Sequence, residues 1–148
     1  MIRRVRELEI RYTPRRLTLP FPGRVSSPAE AARLVAVLVG GAPVEKVVGL
    51  HFTTRRTLIG LHIVSIGTLD AALVHPRSVF QAALLTNAAS LIVAHNHPSG
   101  DPTPSNEDRA LSDRLRQAGD LLGVTLDDFL IVTDGSGYFS ERESGRWS

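Results

Sequence analysis

The sequence of 148 residues contains no cysteine, a single methionine and a single tryptophan. The absence of cysteine excludes disulfides, zinc–thiolate sites, iron–sulfur clusters and cysteine nucleophiles. Any metal would therefore have to be bound by histidine, aspartate or glutamate. No apolar run approaches the roughly 18–20 residues that a membrane-spanning helix needs, and the N-terminus lacks the apolar core of a secretory signal. These absences predict a cytoplasmic protein that has no membrane partner.

Lysine is almost absent as well, since Lys46 is the only lysine among 17 basic residues. Arginine keeps its proton to very high pH, which explains why a net charge of only +2 accompanies a pI of about 9.7. Six arginines fall in the first 16 residues: Arg3, Arg4, Arg6, Arg11, Arg15 and Arg16. Such a basic arm could contact the phosphates of DNA, and the other interpretation is a solvated surface segment.

The composition, with 43% apolar and 22% charged residues, is that of a soluble globular protein. The length suggests one domain. Residues 1–25 are interrupted by Pro14, Pro20 and Pro22 and predict an extended N-terminal arm. Residues 26–148 are predicted to form the domain, because no linker or repeat divides them.

Local signals within this domain place its helices and strands. Ser27, Pro28 and Glu30 have the spacing of a capping box, and they predict a helix that Gly40 and Gly41 end. Further along the chain, the pattern predicts a strand pair over 44–54 and 57–66, a helix over 76–86, a strand over 90–94, a helix from 105 to 123, and strands over 125–133 and 138–141. This order predicts an α/β (α+β) sandwich, a sheet with helices on its faces.

The loop that follows the apolar strand over 90–94 carries the densest group of polar side chains. His95 and His97 are two residues apart, so their imidazoles can share one face of a strand. Zinc requires a third protein ligand and, for catalysis, an open position. Asp108, on the first turn of the helix after Ser105, is the leading candidate. The alternative role of Asp108 is purely structural: it lies three residues after Ser105 and could cap the helix without binding metal.

The stretch from His95 to Asp108, HNHPSGDPTPSNED, resembles the metal-binding motif of JAMM (MPN) metalloprotease domains. That motif reads His-x-His-Pro, a spacer, and Pro-Ser-x-x-Asp. The sequence Asn-His-Pro-Ser-Gly is similar to that of the bacterial RadC branch of this family, whose members are called DNA repair proteins. The segments Ile66-Gly67-Thr68-Leu69 and Val74-His75-Pro76-Arg77 and the Asp134-Gly135 turn extend the resemblance to about residues 25–145.

The resemblance implies a cytidine-deaminase-like fold with a curved mixed sheet. It also implies one zinc ion per chain, bound by His95, His97 and Asp108, with Ser105 donating a hydrogen bond to the oxyanion. A glutamate on an earlier strand is implied as general base. The implied reaction is hydrolysis of a peptide or isopeptide bond.

The sequence departs from this pattern where the glutamate is expected, on the strand before the Gly-Thr-Leu segment. That position holds His62, and no acidic residue lies between Glu45 and Asp70. Three interpretations of His62 remain open. It could replace the glutamate as catalytic base, add a fourth metal ligand and close the site, or be a core histidine without contact to metal. Glu107 is expected to point away from the site.

The resemblance favours a zinc metallopeptidase or isopeptidase, with activity reduced if the glutamate is missing. The alternatives are a non-catalytic interaction module of the same fold, which could form a homodimer, and a nucleic-acid-binding protein of DNA repair or recombination. Longer RadC-type proteins carry a helix-hairpin-helix region that the first 25 residues cannot form. The arginine-rich arm is therefore the only independent support for DNA binding.

The nucleic-acid interpretation predicts salt-sensitive binding to duplex DNA. The arm's arginines would displace counterions from the phosphates, so replacing Arg3, Arg4 and Arg6 together with alanine should weaken binding and flatten its salt dependence. Fluorescence anisotropy at several salt concentrations measures both. Binding that survives this change unaltered would show that the arm does not carry it.

Overall fold

The structure, a computed structural model, describes residues 4–11, 13–67, 74–135 and 137–147. Arg3, Thr68, Leu69 and Asp70, which are named above, lie outside these ranges. Within them the helices are α1, α2 and α3, and the strands are β1 to β5, with a π-helical turn over Ala36–Gly40 directly after α1. Their bounds are α1 Pro28–Val35, β1 Lys46–Phe52, β2 Leu58–Ile66, α2 Pro76–Leu85, β3 Ser90–Asn96, α3 Asn106–Leu122, β4 Thr125–Val132 and β5 Tyr138–Ser140.

The five strands form one mixed sheet in the order β2-β1-β3-β4-β5. Strands β3 and β4 are parallel, and the other neighbouring pairs are antiparallel. Strand β3 lies at the centre and is buried along its whole length. This explains why it reads as an uninterrupted apolar run, since a central strand covered on both faces has no solvent side.

Helices cover both faces of the sheet. On one face Val79 and Phe80 of α2 and Leu115 of α3 pack with Val93 and Phe129 of the strands. On the other face α1 and the π-helical turn pack against the alternate strand residues, among them Leu50, Ile92 and Leu130. The predicted α+β sandwich is therefore confirmed. Among the described residues, no helix is long and apolar enough to cross a lipid bilayer.

The helix ends follow the predicted chemistry with one correction. Ser27 caps α1 by accepting a hydrogen bond from the Glu30 amide, as expected. The Glu30 carboxylate does not return to Ser27 and instead accepts bonds from the amide and hydroxyl of Ser26, at 2.8 and 2.7 Å. Gly123 ends α3 in the left-handed conformation, with φ of 73°.

The N-terminal arm lacks regular structure over residues 4–11 and 13–20, apart from a bend at Pro20. Its described arginines are exposed, and Arg11 pairs with Glu9 at 2.6 Å. The chain joins the domain at Arg24, which makes a β-bridge with Thr57. The division into an arm over 1–25 and a domain over 26–148 stays a prediction.

Gly119 marks a close approach between α3 and the chain that follows it. A Cβ there would lie 2.5 Å from the Val124 carbonyl oxygen and 3.2 Å from the Phe80 ring. In an exposed helix Gly119→Ala would add about 1 kcal/mol of stability, but overpacking costs about 1–3 kcal/mol. We therefore expect a net loss in the free energy of unfolding, measured by urea denaturation.

Gly41→Ala is the matched control for this substitution. Gly41 has φ of −89°, and a Cβ there would meet no atom within 4 Å. The control should leave stability almost unchanged. A Gly119→Ala protein as stable as the wild type would show that no steric constraint acts at this crossing.

Candidate metal centre

The two motif histidines lie where β3 ends. His95 is on the strand, and His97 follows it, with its amide donating to the Val132 carbonyl at 2.8 Å. This bond continues the pairing with β4, so the alternation of a strand holds through His97 and both imidazoles point to the same face. Their ring centroids are 4.8 Å apart. His95 is fully buried, whereas His97 keeps 14% of its side chain exposed.

Asp108 on the first turn of α3 faces both rings. Its Oδ1 lies 3.1 Å from Nε2 of His95, and its Oδ2 lies 3.3 Å from Nε2 of His97. The aspartate is also half of a capping box: its Oδ2 accepts a bond from the Ser105 amide, and the Ser105 hydroxyl accepts one from the Asp108 amide. The helix cap and the predicted metal ligand are thus the same side chain.

One hydrogen bond orients the ring of His97. Its Nδ1 lies 2.8 Å from the carbonyl oxygen of Asp101. A carbonyl can only accept, so Nδ1 donates in this bond and Nε2 is the nitrogen that faces Asp108. A metal-binding imidazole commonly has this second bond, which orients the ring and sets its tautomer.

Several buried atoms of the cluster have no hydrogen-bond partner: both ring nitrogens of His95 and Oδ1 of Asp108. The distance of 3.1 Å between His95 Nε2 and Asp108 Oδ1 is short, but the angles are unsuitable for a hydrogen bond. Buried polar atoms without partners destabilise a fold. A cation between these donors would satisfy them, so the residues present fit a divalent metal.

The electrostatics keep Asp108 in the form that binds a cation. Burial alone would raise the pKa of its carboxyl, but the facing His95 and the bonds to Ser105 lower it more, to about 2. The carboxylate is therefore ionised at neutral pH, as metal coordination requires.

A glutamate that the sequence analysis did not select also reaches the cluster. The carboxylate of Glu45 and the ring nitrogens of His95 and His97 include ligand atoms that all lie within 4.8 Å of one another. Glu45 immediately precedes β1, which pairs antiparallel with β3 so that Val47 faces His95. Two residues further out, this register places Glu45 across from His97 on the same face.

His62 lies apart from this cluster. It is on β2 opposite Gly49, whereas His95 is level with Val47, and β1 separates the two strands. Its Nδ1 is buried without a hydrogen-bond partner, and its electrostatic neighbour is His51. The structure thus places His62 half-buried on β2, two strands away from His95, and the three interpretations of its role stay predictions.

The other predicted site residues are placed as follows. Ser105 is exposed at the N-cap of α3, and Glu107 is exposed on its first turn. The structure brings His95, His97 and Asp108 together, while the roles of these three as ligands and of Ser105 at the oxyanion stay predictions.

Comparison with known proteins decides the family. The model of the RadC-like JAB domain matches residues 25–146. The chain belongs to this family. It is similar to UPF0758 proteins of Thermotoga maritima, 54% identical over 62% of this chain and 41% of the relative, and of Shouchella clausii, 47% identical over 82% and 52%. A UPF0758 protein of Rubrobacter xylanophilus is 42% identical over 84% of this chain and 55% of the relative. The chain thus spans about half the length of these relatives.

A signal for Glu45 was present in the sequence of this RadC-like JAB domain. The predicted strand over 44–54 already contained it, as an acidic residue at the start of an apolar strand. What could not be derived was that this strand pairs with β3, 50 residues away in the chain. The resemblance instead implied a carboxylate on the strand before the Gly-Thr-Leu segment.

The buried His51, next to His62, should make the stability of this RadC-like JAB domain depend on pH. Burial, and then the charge of His62, lower the pKa of His51 from 6.5 to about 4. The unfolded chain binds a proton at higher pH than the folded one, so the free energy of unfolding should fall as pH decreases from 6.5 to 4. The loss approaches about 3 kcal/mol.

His51→Gln removes this titration. Urea denaturation between pH 4 and 7 should show that the difference in the free energy of unfolding between wild type and variant becomes smaller as the pH falls. Two curves that run parallel over this range would contradict the assignment.

Proposed function

We propose that this chain is a zinc-dependent hydrolase of the JAMM type that cleaves peptide or isopeptide bonds, with Glu45 as its general base. The observation that carries the proposal is the position of Glu45, whose carboxylate lies within 4.8 Å of the ligand atoms of both motif histidines. A catalytic carboxylate beside two imidazoles and an aspartate is the minimum set for this reaction.

The proposed ligands are His95, His97 and Asp108. Two imidazoles and one carboxylate leave a position open, as in catalytic rather than structural zinc sites. Zinc bound there would supply Lewis acidity, which polarises the substrate carbonyl and lowers the pKa of water. The unpaired nitrogens of His95 and the ionised state of Asp108 support this ligand set.

Glu45 would move the proton. Its carboxylate accepts a proton from the attacking water and delivers it to the leaving nitrogen, a role worth about a hundred- to ten-thousandfold in rate. The half-buried position of Glu45 suits this task, since the carboxylate borders the cluster without being enclosed by it.

Ser105 would stabilise the negative charge that develops on the carbonyl oxygen. Its Oγ accepts a bond from the Asp108 amide at 3.1 Å, which leaves the hydroxyl proton free to be donated. The bond orients the hydroxyl at the exposed rim of the cluster. A donor fixed before the reaction stabilises an oxyanion without a reorganisation cost.

The test combines metal stoichiometry with cleavage of a peptide library and of ubiquitin-like isopeptide conjugates. Plasma mass spectrometry should find about one zinc per chain in the wild type, and His95→Ala should lose it. Glu45→Gln should keep the zinc and lose cleavage by about a hundredfold or more. His62→Gln is the matched control and should retain both properties.

Three results would overturn the proposal in different ways. Protein that takes up no zinc when it is supplied is not a metal enzyme. Cleavage that survives Glu45→Gln would remove the general base. Zinc that is lost in Glu45→Gln would indicate that Glu45 is a fourth ligand of a closed site, which would favour the non-catalytic interaction module.

A further inference from the structure

Asn96, the residue between the two motif histidines, points to the opposite side of β3 and is fully buried. Its side-chain amide makes hydrogen bonds to backbone groups at the start of β1 and in the segment before it. Oδ1 accepts a bond from the Lys46 amide at 2.7 Å, and Nδ2 donates to the carbonyls of Val44 and Ala42 at 3.0 and 3.3 Å. The orientation of the side-chain amide follows from its partners, because an N–H can only donate and a carbonyl can only accept.

These bonds lie on both sides of Glu45. The Val44 carbonyl belongs to the peptide group before the Cα of Glu45, and the Lys46 amide belongs to the peptide group after it. One side chain therefore holds both peptide groups whose rotation sets the backbone angles of Glu45. The Gly67 amide adds a bond to the Glu45 carbonyl at 2.8 Å from the side of β2.

The direction of the Glu45 side chain depends on this backbone. The regular pairing of β1 with β3 is recorded from Val47 to Phe52, so Glu45 lies just beyond it. The Lys46 amide, which in a regular strand pair would donate to a backbone carbonyl of β3, donates to the side-chain oxygen of Asn96 instead. Asn96 thus extends the register of β1 to the residue that faces His97.

We propose that Asn96 is a positioning residue for Glu45, which fixes where the Glu45 carboxylate stands relative to His95 and His97; this inference rests on the proposed function. Alternate side chains of one strand would then build the site: the two histidines on one face present donors to the metal, and the asparagine on the other face holds the segment that carries the base. Asparagine suits the position because it supplies two donors and an acceptor from one short side chain.

Two substitutions separate the three bonds. Asn96→Ala removes all of them, whereas Asn96→Asp retains the acceptor for the Lys46 amide and loses both donated bonds. Val25→Ala is the control for general destabilisation. Val25 is also fully buried, but its amide bonds to Arg56 beside the hairpin, at the opposite end of β1.

The first measurement is hydrogen exchange of the metal-free full chain by mass spectrometry. Asn96→Ala should accelerate exchange in peptides that cover residues 42–46 by about tenfold or more, and Asn96→Asp should accelerate it too, because a carboxylate cannot donate to the Val44 and Ala42 carbonyls. Val25→Ala should not affect this segment selectively. Unchanged exchange over 42–46 in Asn96→Ala would overturn the proposal, whatever the metal does.

The second measurement is a double-mutant cycle read from the rate of cleavage by the zinc-loaded chain and its pH dependence, with the Co²⁺ dissociation constant as the check that each variant still binds metal. Residues that support a metal site from outside typically change affinity or activity by about 10–100-fold. If Asn96 acts through Glu45, Asn96→Ala should have no further effect in the Glu45→Gln background. An equal effect in both backgrounds would overturn the positioning role.

The two proposals can fail separately. If neither wild type nor variants bind Co²⁺ or zinc, the proposed function fails, and the exchange data still decide whether Asn96 holds the segment. If metal is bound and exchange over 42–46 does not respond, the metal centre stands and the positioning role of Asn96 falls.

Discussion

The antiparallel pairing of β1 with β3 is the constraint on which the candidate site depends. It sets Val47 opposite His95 and so brings Glu45 level with His97. Side chains alternate along a strand, so a slip of one residue would turn Glu45 to the other face of the sheet. The apolar residues of β1 disfavour that slip, because it would turn Val48 and Leu50 away from the core in which they pack and towards the opposite face of the sheet.

In the cluster, local hydrogen bonds hold the side chains in place, and yet several of their polar atoms have no partner. The capping box holds Asp108, and the Asp101 carbonyl holds His97. His95 is fully buried and yet has no hydrogen bond to either ring nitrogen. Buried polar groups are usually paired in native proteins, and the exceptions often occur where a ligand completes the site. The surrounding fold supplies the rigidity that keeps these donors together.

Much of the local structure could be predicted from neighbouring residues. Ser27 and Pro28 marked the start of α1, Gly123 marked the end of α3, and the continuous apolar run over 90–94 indicated the central strand. The relation of Ser105 to Asp108 could be read as a cap or as part of a metal site, and the structure shows the cap with its carboxylate facing both histidines. These predictions succeeded because each depends on groups a few residues apart.

The position of Glu45 beside the two histidines could not be predicted in this way. The sequence by itself determined the elements, their caps, and the grouping of His95, His97 and Asp108 along one short stretch, because short loops and helix starts are governed by local chemistry. Only the tertiary structure decided which carboxylate joins them and how Asn96 contacts the segment beside it. Those contacts join residues about 50 positions apart, and strand pairing at that distance is set by how whole faces pack into the two cores.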